Sequence, residues 1–85
     1  MDGDDMKTQE AVMRRISDLI KEKNFTINGL AYHAGMPKTT LKNILLGASK
    51  NPGIVTIKII CDGLGITLNE FFDCEYFHDL PQEIE

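Results

Sequence analysis

Three glycines, Gly35, Gly47 and Gly65, each stand at the end of a run in which apolar residues recur at helical spacing. A helix that closes on a left-handed residue favours glycine, because no Cβ crowds the neighbouring carbonyl. Ahead of the first glycine, Val12, Ile16, Leu19 and Ile20 share one face of a helix from about Gln9 to Lys23, with Arg14, Asp18 and Lys21 opposite. Asn24-Phe25 breaks that pattern, and Thr26 follows as a good N-cap, since its hydroxyl can accept an orphan backbone N–H. A second helix then buries Leu30, Ala31 and Ala34, carries the poor helix former Gly29, and closes at Gly35. A third starts at Pro37 or Lys38, buries Leu41, Ile44 and Leu45, and ends at Gly47.

Past Gly47 the composition of Ala48 to Gly53, ASKNPG, is that of a loop. Residues 54–61, IVTIKIIC, pull in two directions. Their β-branched content favours a strand, yet Ile57, Ile60, Cys61 and Leu64 fall at the i, i+3, i+4, i+7 spacing of one helical face. A lone strand among helices would have no partner, so a fourth helix ending at Gly65 is expected. Thr67-Leu68-Asn69-Glu70 then reads as a capping box opening a short fifth helix through about Asp73, with Phe71 and Phe72 adding core volume. Five short helices and no sheet follow.

The third helix carries a face of Lys38, Thr39, Lys42 and Asn43 that has no apolar partner. Small residues packing two helices together, with a glycine turn that projects a polar helix outward, are what a helix-turn-helix needs. The net charge of −4 argues against a nucleic-acid partner until its distribution is considered. Residues 12–66 hold eight Lys/Arg against three Asp/Glu, whereas residues 1–11 hold one Lys against four acids and residues 67–85 hold six acids and no Lys/Arg. A basic middle between acidic ends suits a DNA-facing core with solvated or partner-facing tails.

Eighty-five residues are enough for one core without staples, and a division into an acidic N-terminus (1–8), a helical domain (9–73) and an acidic C-terminal tail (74–85) is expected. No apolar run is long enough to span a membrane, and MDGDDMKTQE does not resemble a secretory signal. Cys61 and Cys74 are too few for a disulfide framework, so a reduced, cytoplasmic protein is the expectation. Cys74 and His78 have i,i+4 spacing, but a metal site needs three or four convergent ligands, and no metal or cofactor is expected. Neither a Ser-His-Asp nor a Cys-His arrangement nor a phosphate loop is present, which argues against an enzyme.

Leu30-Ala31, Ala34-Gly35, Thr40-Leu41, Ile44, Gly47, Pro52, Ile57, Leu64-Gly65-Ile66 and Phe71-Phe72 lie in one uninterrupted register. In this register the chain, from about Ile16 to Phe72, resembles the Cro/repressor-type (XRE) helix-turn-helix family of bacterial and phage regulators. The resemblance implies an all-α, compact five-helix, lambda-repressor-like DNA-binding domain and a sequence-specific transcriptional regulator, a repressor, with double-stranded DNA as partner. In that family the third helix enters the major groove and the second braces it. Carried over by position, Lys38, Thr39 and Asn43 become the base-edge residues. Thr26, Asn28, Thr40, Lys42, Ser49, Lys50 and Asn51 become the backbone-contacting ones. The chemistry of the side chains agrees. Asparagine pairs bidentately with adenine, the threonine methyl meets thymine, and lysines supply the salt-sensitive phosphate attraction. The chain departs from the family pattern at Ile27, where a phosphate-clamping glutamine is usual, and at Leu46, where a polar residue is usual.

Val55 and Ile59 are i,i+4 neighbours pointing away from the buried face of the fourth helix. Three readings are open: the exposure is accidental, since single surface apolars are normal; the tail residues Tyr76, Phe77 and Leu80 fold over the pair; or it joins a two-fold homodimer of the kind that palindromic half-sites require, the last two being favoured over the first. Only thirteen residues follow Phe72, too few to fold around an effector. A rival reading is an interaction protein, such as the antitoxin of a toxin–antitoxin pair, whose acidic tail Cys74–Glu85 orders on a protein partner.

Overall fold

Five α-helices form in the order α1 Thr8–Glu22, α2 Ile27–Ala34, α3 Lys38–Leu45, α4 Ile54–Leu64 and α5 Leu68–Phe72, followed by a single 3-10 turn at Glu75–Phe77. They belong to a computed structural model that describes residues 6–49 and 51–84. Among those residues there is no strand, and the helix expected for the β-branched segment is present. Ile57, Ile60, Cys61 and Leu64 are all buried, so core contacts decided that segment over its local propensity.

Each of the first four helices closes in the same way. A residue at or just past each C-cap, Asn24, Gly35, Gly47 or Gly65, has a positive φ. The next N–H then reaches back five residues: Phe25 to Ile20, Met36 to Ala31, Ala48 to Asn43 and Ile66 to Cys61, at 2.9–3.0 Å. This is the Schellman closure, which satisfies the orphan carbonyls and turns the chain sharply. Asparagine takes the left-handed region more readily than other side chains, which is why position 24 needs no glycine. The α2 and α5 starts use side chains instead. Thr26 Oγ1 accepts the Gly29 N–H at 2.9 Å, and Thr67 with Glu70 makes a reciprocal capping box at 3.1 and 2.9 Å.

The core joins Val12, Ile16, Leu19 and Ile20 of α1 to Leu30, Leu41, Ile44, Ile60 and Phe71. Ala34 and Leu45, expected inside, are only half-buried because each ends its helix. The heaviest packing is between α2 and α4, and Gly63 makes it close. A Cβ at position 63 would lie 3.0 Å from Ala34 Cβ and 3.1 Å from the Ala34 backbone nitrogen. A methyl there would be tighter than ordinary van der Waals contact, and α2 would have to yield by a few tenths of an ångström to take it.

The C-terminal segment differs from the expected course. Phe77 packs on Phe71 and Phe72, with ring centroids 6.1 and 4.9 Å apart, and the Tyr76 hydroxyl donates to Asp18 Oδ2 at 2.5 Å. Arg15 adds a clamp, donating from Nε to Phe71 O and from its terminal nitrogen to Glu70 O, both at 2.7 Å. The tail therefore lies against α1 and α5. It leaves Val55 69 % and Ile59 37 % exposed. Coverage of that pair by Tyr76 and Phe77 is thus corrected: the aromatic rings of α5 offer Phe77 a deeper seat than the exposed side of α4 does.

Candidate nucleic-acid interface

The turn at Gly35-Met36-Pro37 sets α3 against α2 and α1, with Leu41 and Ile44 wholly inside and Leu45 partly so. What those three leave outward follows from the 3.6-residue period. Lys38, Thr39, Thr40, Lys42 and Asn43 are all exposed. Pro37 caps α3 without a side-chain hydrogen bond, and no acid occupies the first turn. The free N–H groups at that end carry the positive pole of the helix. Among the described residues Lys38 and Lys42 form no ion pair, whereas Glu10–Arg14 on α1 and Lys58–Asp62 on α4 pair within their own helices. Lys38 and Lys42 thus leave unpaired positive charge on the exposed face of α3.

Beside α3 runs a cleft of about 250 Å³ lined by Thr40, Asn43, Ser49, Asn51 and Thr56, together with Ile44, Pro52 and Gly53. It joins α3 to the following loop and to the first turn of α4. Five hydrogen-bonding side chains converge there. The loop is held from the α3 side by the Asn43 carbonyl, which accepts from Ala48 N–H at 2.9 Å and Ser49 N–H at 3.2 Å. Lys50, a phosphate-contact expectation, lies outside the described residues. Thr56 was not singled out by sequence, because its place in the cleft depends on how α4 approaches α3.

At the start of α2, Thr26 and Asn28 are exposed, and the Thr26 hydroxyl accepts its capping bond while keeping a proton to donate. Ile27 packs against the core, which accounts for an apolar residue where the family pattern has glutamine. Leu46, at the cap of α3, is 76 % exposed.

The profile of the Cro/C1-type HTH DNA-binding domain matches residues 15–76. The chain belongs to that family. Its helices match the crystal structure of the prophage Lp1 protein 11 with a TM-score of 0.75 and 38 % identity, over 88 % of this chain and 100 % of that one. It is also 36 % identical, over 55 residues, to the HTH-type transcriptional regulator SlrR of Bacillus subtilis (strain 168). That match covers 65 % of this chain and 36 % of SlrR, so the chain spans about a third of that relative's length. This Cro/C1-type domain is all-helical, and no helix among its described residues is long and apolar enough to cross a membrane.

Proposed function

We propose that this Cro/C1-type domain is a sequence-specific transcriptional regulator that acts as a repressor, laying α3 in the major groove of double-stranded DNA. In this reading Lys38, Thr39 and Asn43 meet base edges, while Thr26, Asn28, Thr40, Lys42, Ser49, Lys50 and Asn51 meet the sugar-phosphate backbone. The observation that carries it is the continuity of the exposed polar face of α3 with the polar cleft at Ser49, Asn51 and Thr56. In this reading the residues assigned to base edges and those assigned to phosphates are neighbours on one surface. The description of SlrR as a transcriptional regulator supports the same reading.

Two copies bind a palindrome in this proposal, with the exposed Val55 and Ile59 of α4 available for the contact between them. The test is a salt titration of binding to a selected and a random duplex. Lys42→Ala should weaken both alike and flatten the salt dependence, whereas Asn43→Ala should chiefly erase the preference for the selected sequence. Absence of binding to either duplex at low salt would refute the regulator reading.

A further inference from the structure

The loop after α3 is gripped from a second side, by a residue far away in sequence. Gln9, in the first turn of α1, donates from its carboxamide nitrogen to Ser49 O at 3.0 Å and to Gly47 O at 3.3 Å, across 40 and 38 residues of chain. A carboxamide NH2 has two protons, and both have an acceptor here. One turn further along α1, Met13 packs beneath the same place: its Cε lies 3.5 Å from where a Gly47 Cβ would stand. The backbone N–H groups of Ala48 and Ser49 are meanwhile held by the Asn43 carbonyl. Segment 47–49 is thus held from its N–H side by α3 and from its C=O side by α1.

We infer that Gln9 is a positioning residue for DNA contact: it sets the loop that presents Ser49 and Asn51 beside Thr40 and Asn43. Gln9 does not itself line the polar cleft on α3; it acts through the carbonyls it holds, Ser49 O among them. Its other neighbours place it well for this. Gln9 and Asn51 line one cleft with Val12, Pro52 and Phe72, so the amide works in a half-buried setting where water competes less for the two carbonyls. A loop ordered before DNA arrives does not lose that freedom on binding, so its phosphate contacts are worth more. The inference rests on the DNA-reading proposal above.

Gln9→Met keeps the length of the side chain and removes both donors; Gln9→Glu keeps the shape and turns a carboxylate toward two carbonyl oxygens. Each is compared with wild type for affinity to a selected duplex over a range of salt, for thermal midpoint, and for the amide NMR signals of Ala48, Ser49 and Asn51 in the free protein. The expected result is displaced or broadened loop amides and DNA binding weaker by about three- to tenfold, the loss of one or two ordinary hydrogen bonds. The salt slope should fall by about one phosphate contact at temperatures where the variants are fully folded. A merely structural role predicts a lower thermal midpoint with an unchanged salt slope, and that outcome overturns the inference. So does a set of loop amides identical to wild type. Wild-type protein that binds no duplex refutes the DNA-reading proposal itself, and the inferred role of Gln9 in DNA contact with it. In that case the loop amides still report whether the Gln9 clamp exists.

Discussion

Gly63 and Ala34 meet almost backbone to backbone, so close that a methyl group at position 63 would fall 3.1 Å from the Ala34 Cα. This contact sets the spacing of α2 from α4, and through α2 the seat of α3. Gly63→Ala improves helix propensity by about 1 kcal/mol. The added methyl meets main chain that can yield only by moving α2, an overpacking cost of about 1–3 kcal/mol. The net expectation is a destabilisation of up to about 2 kcal/mol in urea unfolding, and Gly63→Val should be worse. A Gly63→Ala protein more stable than wild type would show that α2 and α4 separate freely.

The capping box predicts a pH dependence. The Thr67 backbone N–H, and after it the Thr67 hydroxyl, hold the Glu70 carboxylate and lower its pKa below the ordinary glutamate value. A lowered folded-state pKa means that the stabilisation is complete above the unfolded value and is lost as the pH falls through the folded one. Wild type should therefore lose stability on acidification more steeply than Glu70→Gln in that window. Parallel curves of melting temperature against pH for the two proteins would contradict this. Thr67→Ala, which removes the other half of the box, should cost about 1 kcal/mol.

Arg15 should matter more than a surface cation does, because its guanidinium closes the carbonyl end of α5 with two bonds of 2.7 Å. Arg15→Met keeps much of the aliphatic stem and should still destabilise by about 1–3 kcal/mol. The neighbouring Tyr76 hydroxyl donates to the Asp18 carboxylate, which raises the tyrosine pKa. A raised folded pKa gives stabilisation that is complete below the unfolded tyrosine value and lost as the pH rises through the folded one. Tyr76→Phe should remove this alkaline component of the unfolding curve. It should leave the Phe77 packing intact, as checked by near-ultraviolet circular dichroism.

Val55 and Ile59 provide the test of assembly. Val55→Asp should weaken self-association while changing folding stability by about 0.5 kcal/mol or less, since the side chain is largely in water. Ile59→Asp should weaken it too. Sedimentation of wild type and both variants over one concentration series decides the matter: self-association of wild type that the variants share unchanged removes α4 from the interface, and a monomeric wild type removes the dimer.

The helices were legible in the sequence because periodicity and closure are local. Ile57, Ile60, Cys61 and Leu64 share a face wherever they are placed, and Gly35, Gly47 and Gly65 mark their stops without reference to anything distant. The exposed face of α3 was legible for the same reason. What escaped were residues whose role is set by a partner far along the chain. Gln9 bonds across 38 and 40 residues, Arg15 across 56 and 55, and Gly63 meets Ala34 through the packing of two helices. A three-residue 3-10 turn such as Glu75–Phe77 has too little length for any periodicity, so the tail's acidity and its apolar residues were legible but not the surface they pack on.

The two cysteines amount to a pair of internal clocks. Cys61 lies wholly inside, with burial the main cause that raises its thiol pKa, whereas Cys74 is half-buried just ahead of the 3-10 turn. A thiol reagent should modify Cys74 as the C-terminal segment frays and Cys61 only when α4 lifts from the core. The ratio of the two rates measures how much of the domain opens at once. Repeating it with bound DNA would show whether the duplex steadies the whole bundle or only the helix that touches it.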